Sequence, residues 1–241
     1  MTSRTALFNP RPRIERLQLA DGQSCLVVDD ALMQPESLRH HAVIHCDRFV
    51  RAPFNAYPGI ELPMTAEISA QLGEFFMLHI RSLLGARRTL RMNSRMAMTT
   101  LPPSELQARQ WICHRDSAWI AAEHRIAASV LYLFENERLG GTSFYAPTRS
   151  EQETDLLVHD SSTQSNEAFA GKYRLQSAYM AGSNDYFERI GSVPAKWNRM
   201  IFYDGRTFHS ADIGSPQALS SDPLTGRLTL NGFFTCSRKA S

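Results

Sequence analysis

Residues 227 to 234 read RLTLNGFF. Apolar and polar residues alternate at the period of a strand, so Leu228 and Leu230 share one face while Arg227, Thr229 and Asn231 share the other. A strand of this kind belongs in a sheet with one apolar face, and here the polar face begins with an arginine. A guanidinium turned into a protein interior must pair, because a buried unpaired charge is costly. Two partners fit: one of the chain's own carboxylates, or a dicarboxylate ligand that accepts a bidentate contact.

Upstream, the same character holds back to Gly85. Short strand-like runs (RMAMTT, WICHRD, AASVLYLF, GTSFYA, NRMIFYDG, TFHSADI) are separated by Gly, Pro and Asn. Many short strands with turn punctuation indicate a sandwich or barrel and not βαβ units. Residues 150–196 interrupt the rhythm, polar at first and then helix-like around NEAFAGKYRLQSAYM and SNDYFERIG, which reads as an insertion in a sheet. The region before Gly85 differs. A tail leads to a strand at Cys25–Val28, and a helix starts at Pro35 with Glu36 in its first turn. RFVRAPFNAYPGIELP reads as loop. The clearest helix is TAEISAQLGEFFMLHIRSLLG, where Ile68, Leu72, Phe75, Phe76, His79, Ile80 and Leu83 recur three and four apart until Gly85.

The bulk numbers suit one domain over residues 1–241, with a support region at about 1–90 and a β core at about 91–241. Lys and Arg number 26 against 24 Asp and Glu, a net charge of +2. No basic excess is available to cover a phosphate backbone, so a nucleic-acid substrate is not expected. The densest basic stretch, GARRTLRMNSR, reads as a solvated rim. Four scattered cysteines (Cys25, Cys46, Cys113, Cys236) form no C-x-x-C and fit a reducing compartment. No apolar run reaches the ~20 residues of a membrane span, and MTSRTALFNPRPRIERL shows no secretory signal. A cytoplasmic protein without membrane contact is the expectation.

WICHRDSAWI, residues 111–120, carries His-Arg-Asp in a row. A kinase catalytic loop needs Asn five residues after the Asp, and Ala121 stands there. No Gly-rich loop and no V-A-I-K strand precede it, so the match to kinase chemistry is accidental. As a strand, the segment would aim His114 and Asp116 at one side and Arg115 at the other. An imidazole and a carboxylate side by side are metal ligands in search of a third. His209, in NRMIFYDGRTFHSADI, is the candidate, although taken alone it reads sooner as a surface or core imidazole bonded to backbone. Two His and one carboxylate on one face of an iron leave the other face open.

The order H-x-D, Y-L-x, G-G-x-x-F, distal His, then R-x-x-x-x-x-[WF] resembles the Fe(II)/2-oxoglutarate-dependent dioxygenases, closest to the prolyl-hydroxylase-like branch. The elements are HRD at 114–116, VLYLF at 130–134, LGGTSFYAP at 139–147, NRMIFYDGRTFHS at 198–210 and RLTLNGFF at 227–234. VVDDALMQPESLRHHAV also resembles the strand-then-helix entry of that branch. The resemblance implies an α+β chain with a mainly β core, a double-stranded β-helix (jelly-roll or cupin-like barrel) with N-terminal helices packed on it. It implies Fe(II), 2-oxoglutarate and O2, with His114, Asp116 and His209 as metal ligands. Arg227 would pair with the far carboxylate of 2-oxoglutarate, and the Tyr132 hydroxyl would reach the same group. The carboxylate of Asp116 favours hydroxylation over the halogenation of relatives that lack it. Three features depart from the family. The strand before H-x-D has AMTTLPPSEL where relatives often carry a Tyr and a Gly. GSPQALSSDPLTG lengthens the gap from His209 to Arg227. Residues 150–196 are not part of the common barrel.

The implied activity is hydroxylation of an amino acid, peptide or other small metabolite with release of succinate and CO2. A non-catalytic cupin-like metal- or ligand-binding barrel and a protein-modifying hydroxylase are the alternatives. Elsewhere, His41 and His45 stand i, i+4 on a helix without an acidic partner and read as surface or packing. His124 and His159 read as solvent or loop residues, Trp111 and Trp197 as packing, and Arg206 as a turn residue or an anion contact. Trp119, just past H-x-D, is a candidate at the substrate side.

Overall fold

The computed structural model describes residues 6–51, 56–116 and 124–238. Their ten strands are all paired antiparallel in two sheets. The large sheet has the order β1 (Ile14–Gln18), β2 (Ser24–Val28), β8 (Met200–Asp204), β5 (His124–Tyr132), β10 (Arg227–Arg238), β4 (Ala86–Thr99), β3 (Gly59–Pro63). The small sheet has the order β7 (Phe187–Val193), β6 (Thr142–Pro147), β9 (Phe208–Ala211).

Alternation decides how the sheets stack. Leu228, Leu230 and Phe234 of β10 join Ala127 and Leu131 of β5, Met200 and Phe202 of β8, and Met96 and Met98 of β4 in an outer apolar layer. Helices α1 (Pro35–Ile44) and α2 (Ala66–Phe75) lie on that layer through Leu38, Ala42, Leu72 and Phe75. Just beyond α2, Phe76 stacks on Phe234 with ring centroids 3.9 Å apart. The opposite face of the large sheet offers Cys25, Ala128, Tyr132, Ile201 and Tyr203, which pack against Phe144 and Val193 of the small sheet. The small sheet's outer face carries Tyr145, Phe187 and Phe208. Helices α3 (Glu151–Thr163) and α4 (Asn166–Tyr173) cover it with Leu157, Phe169 and Tyr173. Helix, sheet, sheet and helix thus form four layers, and the polar interior lies between the sheets.

Local chemistry sets the ends of the helices. Thr65 caps α2 by accepting from the Ile68 N–H, and Ser150 with Glu153 forms a reciprocal capping box on α3. Asp160 joins α3 to α4, accepting from Lys172 Nζ at 2.6 Å and the Tyr173 hydroxyl at 2.7 Å.

Several expectations change. Residues 150–196 are not wholly an insertion: α3 and α4 are, but Phe187–Val193 is a sheet strand paired with β6. The expected tail contains β1, and the expected loop contains β3. Both are edge strands, where exposed polar residues and proline are tolerated.

Candidate metal centre

WICHRD is not a strand. His114 makes a single bridge, exchanging N–H···O bonds with His209 at 3.0 and 2.9 Å. Two residues on, the Asp116 N–H donates to the Gly205 carbonyl at 2.7 Å. Gly205 must be small, because a Cβ there would meet Ile126 Cγ2 at 2.5 Å and Asp116 Cβ at 3.2 Å. His209 sits in β9 opposite Phe144 of β6, on the inner face. The three candidate ligands therefore come from a loop tied at two points and from a strand.

One ligand atom from each of His114, Asp116 and His209 falls within 4.8 Å of the others. Asp116 Oδ1 is 3.8 Å from His114 Nε2, and Oδ2 is 3.4 Å from His209 Nε2. The His209 Nδ1 faces the Thr207 carbonyl at 2.9 Å. A proton on Nδ1 would bond that carbonyl and leave Nε2 as a lone pair aimed at the carboxylate. Asp116 Oδ2 is sealed from solvent and has no hydrogen-bond partner among the described residues. A lone pair facing an orphaned carboxylate oxygen is unfavourable unless a cation lies between them. The donor set, two imidazoles and a carboxylate, fits a divalent metal ion. His209 is buried and Asp116 half-buried, whereas about half of the His114 side chain is exposed, so the centre opens on the His114 side.

Arg227 is 3% exposed. Its Nε donates to the carbonyls of Leu139 and Gly140 at 3.1 Å, and Nη2 to that of Gly141 at 2.8 Å. The guanidinium carbon lies 6.0 Å from the Tyr132 ring and 5.7 Å from that of Phe134. No carboxylate among the described residues pairs with it, so the ion-pair alternative fails there. Gly140 makes the carbonyl cradle possible: its φ is +77°, and a Cβ would strike the Asp212 carbonyl. The Tyr132 hydroxyl bonds Thr142 Oγ1 at 2.8 Å, and burial pushes its phenol up, leaving it protonated.

One tyrosine escaped the sequence reading. Tyr57 lies just before β3, and its hydroxyl is 3.0 Å from Thr99 Oγ1. Thr99 is the register partner of Arg227, and the Arg227 charge acts on Tyr57. A phenol thus arrives from the segment that leads into the edge strand β3. Burial pushes the Tyr57 phenol up as well. No local pattern announces it, because only the β3–β4 pairing brings it close.

The remaining candidates resolve as packing or surface. Arg206 pairs with Asp204 of its own turn at 3.2 Å. His41 and His45 meet edge to face at 4.5 Å with no acidic third ligand among the described residues. His159 is a largely exposed α3 residue beside Asp160, and His124 begins β5. Trp111 is buried against Phe169, and Trp197 lies under Arg39. Trp119 lies outside the described residues.

A family profile described as "Family of unknown function (DUF6445)" matches residues 10–234. The chain belongs to this family. No curated protein matches this DUF6445 chain. Solved structures similar to it include a prolyl-4-hydroxylase from Pseudomonas putida, at 12% identity and a TM-score of 0.41, covering 86% of each chain. Another is the non-heme alpha-ketoglutarate-dependent carbocyclase SnoK from nogalamycin biosynthesis, at 14% identity and 0.49, covering 89% of this chain and 80% of SnoK. A third is HygX from Streptomyces hygroscopicus, solved with nickel and 2-oxoglutarate bound, at 11% and 0.47, covering 91% and 84%.

Proposed function

We propose that this chain is an Fe(II)- and 2-oxoglutarate-dependent oxygenase built on a double-stranded β-helix, acting as one domain. In this reading it hydroxylates an amino acid, peptide or other small metabolite and releases succinate and CO2. His114, Asp116 and His209 hold the metal, and Arg227 with Tyr132 holds the co-substrate. The observation that carries the reading is a pair of unmet demands in one interior. A buried carboxylate oxygen faces a histidine lone pair, and a buried guanidinium has only carbonyls for partners. Fe(II) meets the first, and the far carboxylate of 2-oxoglutarate meets the second.

Iron with 2-oxoglutarate and O2, when bound, supplies the oxidising power that inserts oxygen into a substrate C–H bond. The residues of this chain position and insulate. The Thr207 carbonyl fixes the His209 tautomer. The mutual backbone bonds of His114 and His209 hold two ligands in register. The cradle at Leu139–Gly141 fixes the Arg227 guanidinium, so little entropy is lost when it takes a carboxylate. Tyr132 and Tyr57 stay protonated and can donate toward the same anion.

Thermal melts test the reading. Mn(II) is expected to raise the melting temperature, and 2-oxoglutarate to raise it further only with metal present. Failure of Mn(II) to stabilise the wild type removes the proposal.

A further inference from the structure

The inner face of the large sheet holds a second polar group besides Arg227. Arg95 of β4 and Asn231 of β10 are register partners, so their side chains rise side by side. Arg95 is built in. Its Nε lies 2.7 Å from Oε1 of the buried Glu61, and its guanidinium sits 4.6 Å over the Phe233 ring. These contacts hold the stem, although the Nε–Oε1 contact is a charge pairing without hydrogen-bond geometry. Neither Nη has a hydrogen-bond acceptor among the described residues, and the side chain is one-third exposed. Asn231 is 8% exposed, and its Oδ1 has no partner among the described residues. Arg227 stands four residues from Asn231 on the same strand face, about 13 Å along the strand. Two guanidiniums so separated suit two different carboxylates.

Resting on the oxygenase reading, we propose that Arg95 and Asn231 recognise the primary substrate, a free carboxylic acid with an N–H or O–H donor beside the carboxylate. That is the pattern of an amino acid or an N-acyl amino acid. The paired Nη groups of Arg95 meet a carboxylate end-on and bidentate, while Glu61 occupies only the inner edge. Asn231 Oδ1, otherwise unmet, accepts the donor. An amide or ester of the same compound keeps the shape and loses the charge.

The test uses the wild-type protein loaded with Zn(II) and 2-oxoglutarate, with arginine and asparagine side chains labelled for NMR. Arg95→Lys and Arg227→Lys identify the two Nε–H signals, and Asn231→Ser identifies the amide. N-acetyl-L-alanine is expected to shift the Arg95 and Asn231 signals and leave Arg227 in place; N-acetyl-L-alanine amide is expected to shift neither. An acid that leaves Arg95 unmoved, or an amide that moves it equally, overturns the proposal. So does a shift of Arg95 in place of Arg227 when 2-oxoglutarate itself is added. If 2-oxoglutarate moves neither guanidinium, the oxygenase reading falls, and this proposal falls with it.

Discussion

The backbones of His114 and His209 hold each other through two hydrogen bonds, 3.0 and 2.9 Å long, so main-chain bonds keep the two residues in register. His209→Ala should therefore fold, because it keeps both bonds. Its metal affinity should fall by more than the 10–100-fold typical of losing a group that only orients a ligand. Circular dichroism and Mn(II) titration check the two halves of that statement.

Asp116 makes a sharper prediction, because its effect should change sign with metal. In the metal-free protein its Oδ2 is buried, unbonded and beside a histidine lone pair. Asp116→Asn removes that charge and should leave the metal-free melting temperature unchanged or higher. With Mn(II) present the variant should melt below wild type, because binding to the native state is lost. Parallel melts with and without Mn(II) decide it, and equal destabilisation in both counts against a metal site.

Gly205 is the point where Asp116 rests on the β8–β9 turn. Gly205→Ala places a methyl against Ile126 and Asp116. The loop must shift by several tenths of an ångström, so metal affinity should drop with little change in helix or sheet content. Titration calorimetry with Mn(II) measures the loss.

Asp29 gives the pH dependence. Hydrogen bonds from Arg199 and Lys196 hold its carboxyl down to about 2. A lowered folded value means stability that is present above the unfolded value, about 4, and lost as pH falls through that window toward about 2. Asp29 is partly exposed, so after solvent screening the contribution is about 1 kcal/mol. Asp29→Asn should show a lower urea midpoint than wild type at neutral pH, and the gap should close near pH ~2. A gap that stays constant with pH contradicts the assignment.

The strands at 124–132, 142–147, 200–204, 208–211 and 227–238 were legible because each carries a local alternation or an apolar run bounded by turns. WICHRD misled, because apolar flanks imitate a strand and only the distant His209 shows that a single bridge forms. Gly59–Pro63 was hidden by its own glycine and prolines, which an edge strand tolerates. SNDYFERIG looked helical, but Phe187 packs on Phe208 in the small sheet. The basic stretch ending at Arg95 read as a rim. Arg87, Arg88 and Arg91 are exposed, yet Arg95 turns inward to Glu61. Residue pattern singled out His114, Asp116, His209 and Arg227, and the family resemblance added Tyr132; the fold gathers these side chains in one interior. Tyr57 and the Arg95–Asn231 pair depend on strand register, which no local pattern encodes.

The central claim is tested most directly by adding Fe(II) and then 2-oxoglutarate to the metal-free protein under anaerobic conditions and recording the visible spectrum. A weak charge-transfer band of the chelated co-substrate is expected. In Arg227→Met, which loses a charged hydrogen-bond donor to the co-substrate, it should need about ten- to hundredfold more 2-oxoglutarate. In His209→Ala it should be absent. A folded wild-type protein that binds Fe(II) and shows no band with 2-oxoglutarate would contradict the account.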